Sequence, residues 1–282
     1  MTAGLGTPSL VPRGSTTDAA LELLAARPLV VLTGAGVSTD SGIPDYRGPN
    51  APARMPMTYQ EFVSGYDAQQ RYWARSHLGW GRMRVALPNA GHRAVAAIDP
   101  DLLNTQNVDG LHETAGSHRV VDLHGRIADV VCLHCRTVSA RARLQERLEE
   151  LNPGWAAAHV VVEVRPDGDV ELSDTAGFVV PDCEVCGGVL KPDVVFFGEN
   201  VPKARVEACY AAVDALPERD GALLVAGSSL TVMSGFRFVR QAVRAGVPVV
   251  IVNRGPTRGD DLATVKLHAG CTEFLTALAA VR

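Results

Sequence analysis

The chain has 282 residues, of which 46% are hydrophobic and 21% charged, with a net charge of −4. That is enough for one large core and a satellite, and the charge gives no basic footprint for a nucleic-acid partner. Its apolar runs, Leu29–Leu32, Ala222–Ala226 and Val247–Val252, are too short to cross a bilayer. No charged region leading into an apolar core opens the chain, so no signal peptide is read and a cytoplasmic location is expected. Near the start, Leu10-Val11-Pro12-Arg13-Gly14-Ser15 reads as a thrombin-type cleavage sequence or as chance in a Pro/Gly-rich tail. Residues 1–16, a disordered tail or an appended scar, stay outside the fold argument.

A helix over Ala19–Ala26, capped by Thr17 or Asp18, should lead into a strand at Leu29–Leu32. Gly34-Ala35-Gly36 follows as a tight turn able to cradle phosphate. The third glycine of a dinucleotide fingerprint would fall at position 39, where the chain has Thr39, and no acidic partner on a second strand is evident. A hydride-transferring dehydrogenase therefore loses ground. In its place comes Gly42-Ile43-Pro44-Asp45-Tyr46-Arg47-Gly48, a kinked segment with a carboxylate, an aromatic ring and a guanidinium beside the phosphate turn. A plain solvated loop would have little use for Ile43 and Tyr46.

Residues 49–87 read as a mainly helical insertion. Strands are expected at Leu102–Thr105, Val120–Leu123, Ala222–Ala226 and Val247–Val252, most of them ending in polar or glycine clusters. Near-continuous apolar strands alternating with helices predict an α/β fold, a Rossmann-like parallel sheet covered on both faces. Its ligands should lie at the carboxyl ends of the strands. There the chain offers Gln106, Asn107 and Asp109, then His124-Gly125, then Gly227-Ser228-Ser229, then Asn253-Arg254-Gly255. A lone histidine is more often structural, but His124 at the mouth of a nucleotide crevice is a credible general base.

Residues 126–192 break the α/β rhythm with a charged helical stretch, Ala140–Leu151, and a Pro/Gly/Asp-rich loop, Asn152–Asp174. Cys132-Leu-His-Cys135 and Cys183-Glu-Val-Cys186 fall here, while Cys209 and Cys271 stand alone. Two C-x-x-C pairs suit one tetrahedral Zn²⁺ in a reducing compartment. Four thiolates leave no open coordination position, so the ion would be structural; His134 reads as an exposed loop residue. The expected division is an NAD-binding unit of 17–48, 88–125 and 193–282, beside a small zinc-binding and helical module of 49–87 and 126–192.

GAGVSTDSGIPDYRG, TQNVDGLH, LHG, the two C-x-x-C pairs, KPDVVFFGE and GSS, in this order, resemble the sirtuin (Sir2) family over residues 18–280. QRYWARSHLGW, LQERLEELNPGW, RPDGDVELS, GSSLTVMSGFRFV and NRGPTRGDDLATVKL are similar to its class II branch. The resemblance implies an NAD-dependent protein-lysine deacylase with NAD⁺ as a consumed co-substrate and one structural zinc ion. The acyl oxygen of a modified lysine would attack ribose C1′ as nicotinamide departs, His124 would deprotonate the ribose diol, and water would release lysine and O-acyl-ADP-ribose.

By the same resemblance, Gly34, Ala35, Gly36 and Ser38 would lie along the pyrophosphate and ribose. Ile43, Asp45, Asn107 and Asp109 would line the nicotinamide pocket. Tyr46 would shield the reaction centre, and Arg47 would contact phosphates or order its loop. Gln106 would hold ribose hydroxyls; Gly227, Ser228, Ser229, Asn253, Arg254, Gly255 and Cys271 would complete the adenosine end, unless Cys271 is simply a small buried hydrophobe. The acyl-lysine protein substrate would enter as a strand between Val195–Glu199, which includes Gly198, and the Ser228–Met233 region, with Val195 and Phe197 walling the acyl-lysine tunnel. Tyr72 and Arg75, one helical turn apart, resemble a reader for a carboxylate at the end of a longer or acidic acyl chain, or else a core aromatic beside an ion-paired arginine. A protein mono-ADP-ribosyltransferase and a non-catalytic NAD-sensing module are the rival readings, and the oligomeric state is left open.

Overall fold

The computed structural model describes residues 17–46, 56–159, 168, 170, 172 and 174–282. Arg47, the tail 1–16 and most of the 165–173 stretch lie outside the described residues.

Among the described residues nine strands form two sheets: β1 (Leu29–Thr33), β2 (Leu102–Thr105), β3 (Val120–Asp122), β4 (Gly125–Cys132), β5 (Val138–Ala140), β6 (Leu190–Val194), β7 (Ala222–Ala226), β8 (Val249–Val252) and β9 (Val265–Leu267). Six pair in parallel in the order β3-β2-β1-β7-β8-β9. The central strands β1, β7 and β8 are buried at every residue, which explains their unbroken apolar sequences. Period-two alternation sends Leu29 and Val31 into one core with the helices Thr17–Ala25, Ala90–Ile98 and Cys271–Val281. Val30 and Leu32 point the other way, into a second core with the helices Lys203–Asp214 and Met233–Arg244.

The chain runs outward from β1 through β2 to β3, then returns on the far side of β1 as β7, β8 and β9. The connections therefore diverge between β1 and β7, the switch point where an open parallel sheet forms a ligand crevice. That geometry sets the loops after β1 and β7 side by side.

An antiparallel sheet, β5-β4-β6, is built within residues 125–194, with its register shifting between Gly125 and Val130. A third core joins it to the helices Tyr66–Met83 and Arg141–Leu151 through Phe62, Tyr72, Trp73, Val130, Leu144, Leu148 and Phe196. The fully buried Trp73 gives its indole N–H to the Leu190 carbonyl at 3.0 Å. Among the described residues no helix is long and apolar enough to cross a membrane.

Several elements depart from expectation. β8 begins at Val249 rather than Val247, because Val247 closes the preceding helix with an N–H to the Ala242 carbonyl and Pro248 has no N–H to give. Within the expected loop after Asn152, Trp155–Ala158 is helical. Gly154 enters it at φ +78°, and the Trp155 ring packs on Phe178 and His159.

Candidate active site

The β1 and β7 loops meet almost without side chains between them. Gly34 donates its N–H to Ala226 and Gly36 to Gly227, at 3.1 and 2.9 Å. A Cβ on Gly34 would stand 2.8 Å from the Gly227 oxygen, and one on Gly36 2.9 Å from the Gly227 Cα. Gly227 itself sits at φ +66°. All three glycines are thus required by loop-to-loop approach, whatever they later cradle. After Gly36 the chain makes two 3₁₀ turns, Ala35–Val37 and Thr39–Ser41, and reverses at Gly42 with φ +80°. This is why no third fingerprint glycine is needed at Thr39: no α-helix starts there.

Ser38, buried at the junction of those turns, organises the pocket floor. Its hydroxyl donates to the Asp109 carboxylate at 2.7 Å and accepts from the Asn107 amide at 3.0 Å. The other Asn107 N–H goes to the Gly34 carbonyl at 3.1 Å. Both amide hydrogens are then used, and Oδ1 remains as an acceptor. Burial raises the Asp109 pKa, while the bonds from Ser38 and the Leu111 N–H hold it down. Behind Ser38 two buried imidazoles, His92 and His112, pack with centroids 4.8 Å apart. Burial pushes them down to about 4 and about 3, so both are neutral at physiological pH.

His124 follows β3. Its Nδ1 lies 3.1 Å from the Gln106 carbonyl, which can only accept, so the ring carries its proton on Nδ1. Nε2 is therefore the basic atom, and it takes a hydrogen bond from Ser234 Oγ at 2.7 Å. Burial, with Arg205 nearby, pushes the His124 pKa down to about 4 against the Gln106 bond, so the ring is a neutral base at physiological pH. Gln106 is clamped in turn: Ser228 Oγ donates to its side-chain oxygen at 2.6 Å. The His124 carbonyl accepts the Val195 N–H at 2.8 Å, so the Val195–Glu199 turn starts directly beside the base. Tyr46 and Phe197 meet edge-on across that turn, 6.3 Å between centroids.

The other anticipated residues divide. Ile43 is buried and Asp45 half-buried on the reversed loop. Ser229 bonds the Thr231 hydroxyl, Asn253 closes on the Gly255 carbonyl, and the exposed Arg254 faces Glu273. Cys271 is buried with its thiol pushed up to about 12 by burial and directed at the Val252 carbonyl at 3.7 Å, so it is un-ionised and a poor nucleophile at physiological pH. Tyr72 is a core residue whose ring packs on Phe62, Trp73 and Phe196. Arg75 spends Nε and Nη2 on the Leu172 carbonyl at 3.3 and 3.2 Å.

Cys132, Cys135, Cys183 and Cys186 converge with all four Sγ atoms within 4.8 Å of one another. Cys132 and Cys186 stand 3.5 Å apart, Cys135 and Cys183 3.8 Å. Thiolates bound tetrahedrally to zinc at ~2.3 Å are separated by about 3.8 Å, so the residues fit the ion. A Cβ on Gly188 would meet Cys132 Sγ at 3.0 Å and Cys186 Sγ at 3.2 Å, so the knuckle closes only around glycine. His134 is exposed and outside the cluster.

The model of the Sir2 family matches residues 34–234. The chain belongs to the Sir2 family. It is 54% identical to NAD-dependent protein deacetylase 1 of Mycobacterium avium over 264 residues, covering 91% of this chain and 92% of that one. With NAD-dependent protein deacetylase 1 of Streptomyces coelicolor the identity is 53% over 278 residues, 95% and 91% of the two chains. A solved Sir2 complex with a p53 peptide and NAD⁺ superimposes with a TM-score of 0.74 at 30% identity, covering 93% of this chain and 97% of that one.

In this Sir2-family chain the sequence reading missed three contributors to the crevice. Ser234 sits in the first turn of the helix Met233–Arg244, with only its place after the Gly227–Ser229 cluster as a clue. His92 follows the capping residue Asn89, whose amide also holds the Val37 carbonyl at 2.8 Å. Lys191, the first residue of KPDVVFFGE, is buried against the turn that starts beside His124.

Proposed function

We propose that this chain is an NAD⁺-dependent protein-lysine deacylase of the class II-like branch. The observation that carries the reading is His124. It is a neutral imidazole with its tautomer set by a backbone carbonyl, its basic nitrogen beside the crevice and the substrate turn starting at its own carbonyl. When bound, NAD⁺ supplies the ribose carbon onto which the acyl oxygen moves as nicotinamide departs.

Every other role belongs to the chain. Gly34, Ala35, Gly36, Ser38, Gly227, Ser228 and Ser229 line the path of the phosphates and riboses, the glycines by close backbone approach, since the Gly34, Gly36 and Gly227 N–H groups are spent on bonds to Ala226, Gly227 and Val252. Asn107 Oδ1 and the Asp109 carboxylate accept from the nicotinamide amide, with Ile43 and Asp45 against the ring. Tyr46 and Phe197 exclude water, and Asn253, Arg254 and Gly255 flank the adenosine end. His124 Nε2 takes the proton of a ribose hydroxyl once the Ser234 hydroxyl gives way. The three cores support a division into an NAD-binding unit (17–48, 88–125, 193–282) and a smaller module (49–87, 126–192). The zinc knuckle organises that module and stays out of the chemistry.

Longer or acidic acyl chains are preferred over acetyl in this reading, because Tyr72 backs the wall at Phe196 and Arg75 lies one turn further along the same helix. The fork must leave the Leu172 carbonyl to receive a carboxylate. A panel of acyl-lysine peptides with NAD⁺, scored for nicotinamide and free lysine, tests both levels. His124→Ala abolishes free lysine while nicotinamide exchange persists. A covalent ADP-ribose adduct on protein, with no O-acyl-ADP-ribose, replaces the deacylase reading with that of a transferase. Equal turnover of acetyl and glutaryl peptides, unchanged in Arg75→Met, removes the acyl preference alone.

A further inference from the structure

Val195 and Phe197 of the turn Val195–Glu199 would wall the acyl-lysine tunnel, and its glutamate reads from sequence as a substrate contact. The structure gives that carboxylate other work. Glu199 Oε2 accepts the Phe196 N–H at 2.9 Å, closing the turn on itself, and the Glu199 N–H returns to the Phe196 carbonyl at 3.0 Å. The same oxygen lies 3.1 Å from Lys191 Nζ. Lys191 is 2% exposed. Its ammonium also donates to the Pro192 and Val194 carbonyls, at 3.0 and 2.5 Å, and lies over the Phe196 ring 4.5 Å from its centroid. Three donors meet three acceptors, so the buried charge is satisfied entirely by the turn and the strand leading into it. Burial lowers the Lys191 pKa, and the neighbouring carboxylate opposes that shift.

From outside, a second segment grips the same turn. The Tyr59 N–H donates to the Phe197 carbonyl at 2.9 Å, and Gln60 reaches the Gly198 carbonyl at 3.3 Å. Gly198, at φ +80°, lets the chain reverse between the two grips. The turn is thus held at the Phe197 carbonyl by the Tyr59 backbone on one side and at Phe196 by the Lys191–Glu199 pair on the other.

We propose that Lys191 and Glu199 are positioning residues for substrate selection: the pair, a buried lysine with a half-buried glutamate, fixes the Val195–Glu199 turn so that Phe197 and its neighbours hold one tunnel width, and Glu199 does not itself touch the substrate. The inference rests on the deacylase reading for the identity of the tunnel's occupant. Loosening the pair should therefore act on the acyl-lysine partner and spare NAD⁺, whose proposed contacts lie on the β1, β2, β7 and β8 loops.

The testing variant is Glu199→Gln, which keeps an acceptor for Phe196 and removes the charge opposite Lys191. Expected are a rise of about three- to tenfold in KM for an acetyl-lysine peptide, with KM for NAD⁺ within twofold of wild type. The butyryl-to-acetyl ratio of kcat/KM should also rise, because a softer wall admits a longer chain. Amide hydrogen exchange on the substrate-free protein gives a readout independent of activity. Phe196, Phe197 and Glu199 exchange faster in the variant, while β1 and β7 keep their protection. Lys191→Arg, which keeps a cation for the carboxylate, should retain more of the wild-type peptide KM than Lys191→Met.

Unchanged peptide KM and exchange in Glu199→Gln overturn the proposal, as does a parallel rise in both KM values or a loss of protection across the whole chain. If the wild-type protein releases no nicotinamide with any peptide, the deacylase reading fails, and the exchange comparison still decides whether the pair holds the turn.

Discussion

Ser38→Ala removes one oxygen atom from the pocket floor and isolates the contribution of its hydroxyl. That hydroxyl serves Asp109 and Asn107 together, at 2.7 and 3.0 Å, in a position 1% exposed. Each partner keeps one other bond, Asp109 to the Leu111 N–H and Asn107 to the Gly34 carbonyl. The variant thus strips one bond from a buried carboxylate and one from a buried amide. With a cost of about 1–3 kcal/mol for each under-satisfied buried group, the loss is about 2–6 kcal/mol. In a chain of this size that lowers Tm by about 4–10 °C. The sign of the pH dependence follows from Asp109. Its folded pKa is already raised by burial, and Ser38 is among the groups that hold it down, so the variant raises it further. The folded state then binds more protons than the unfolded one over a wider range, and the extra destabilisation is largest at neutral and alkaline pH and shrinks toward acid. In the proposed mechanism nicotinamide release uses the ionised carboxylate, so release should fall at neutral pH and recover as pH rises. Urea unfolding of both proteins at several pH values, with release assays alongside, measures each part. A variant within 0.5 kcal/mol of wild type with an unshifted pH profile would refute this account of the pocket.

Two more predictions concern the whole fold. His92, His112 and His124 have pKa values pushed down to about 4, 3 and 4, so they stay neutral while their unfolded counterparts protonate near 6.5. As pH falls from about 6.5 toward 4, the unfolded state binds more protons and stability drops, by up to about 1.4 kcal/mol per pH unit for each ring. Urea midpoints at pH 7 and pH 5 should therefore differ sharply, and equal midpoints would contradict the burial of the three rings. For the zinc site, purified protein should carry one ion per chain. Chelation or Cys186→Ser should release it, lower Tm and expose amides of β4 and β6 to exchange before those of β1 and β7. Loss of the ion with no change in that protection would remove its structural role.

Much of the crevice could be read along the chain because its parts are local. Gly34-Ala35-Gly36, Gln106-Asn107-Val108-Asp109, His124-Gly125 and Gly227-Ser228-Ser229 each follow a strand whose apolar run is visible in sequence, and parallel sheets gather strand ends on one edge. The cysteine pairs were legible for a related reason, since the bite of a C-x-x-C turn is a local property. β5 and β6 escaped notice because they are short or interrupted. β5 is three residues long, and β6 contains Lys191, Pro192 and Asp193, residues that argue against a strand until the pairing with β4 is known. Arg141 is another case. It begins a charged-looking helix yet is fully buried between the rings of Trp73 and Trp80, 5.2 and 5.0 Å from their centroids, because two aromatic faces from a distant helix enclose it.

The order of apolar runs and turn residues alone determined the sheet class, the edge on which ligands gather and the four metal-binding thiols. Periodicity and turn chemistry act within a few residues, so they survive in one dimension. Only the folded chain decided which atom of His124 is basic, that Ser234 holds it, and that Glu199 pairs with Lys191. Those outcomes depend on contacts between residues far apart in the chain and on the loss of water around them. Neither the direction of a buried hydrogen bond nor the pKa it sets exists before the chain closes on itself.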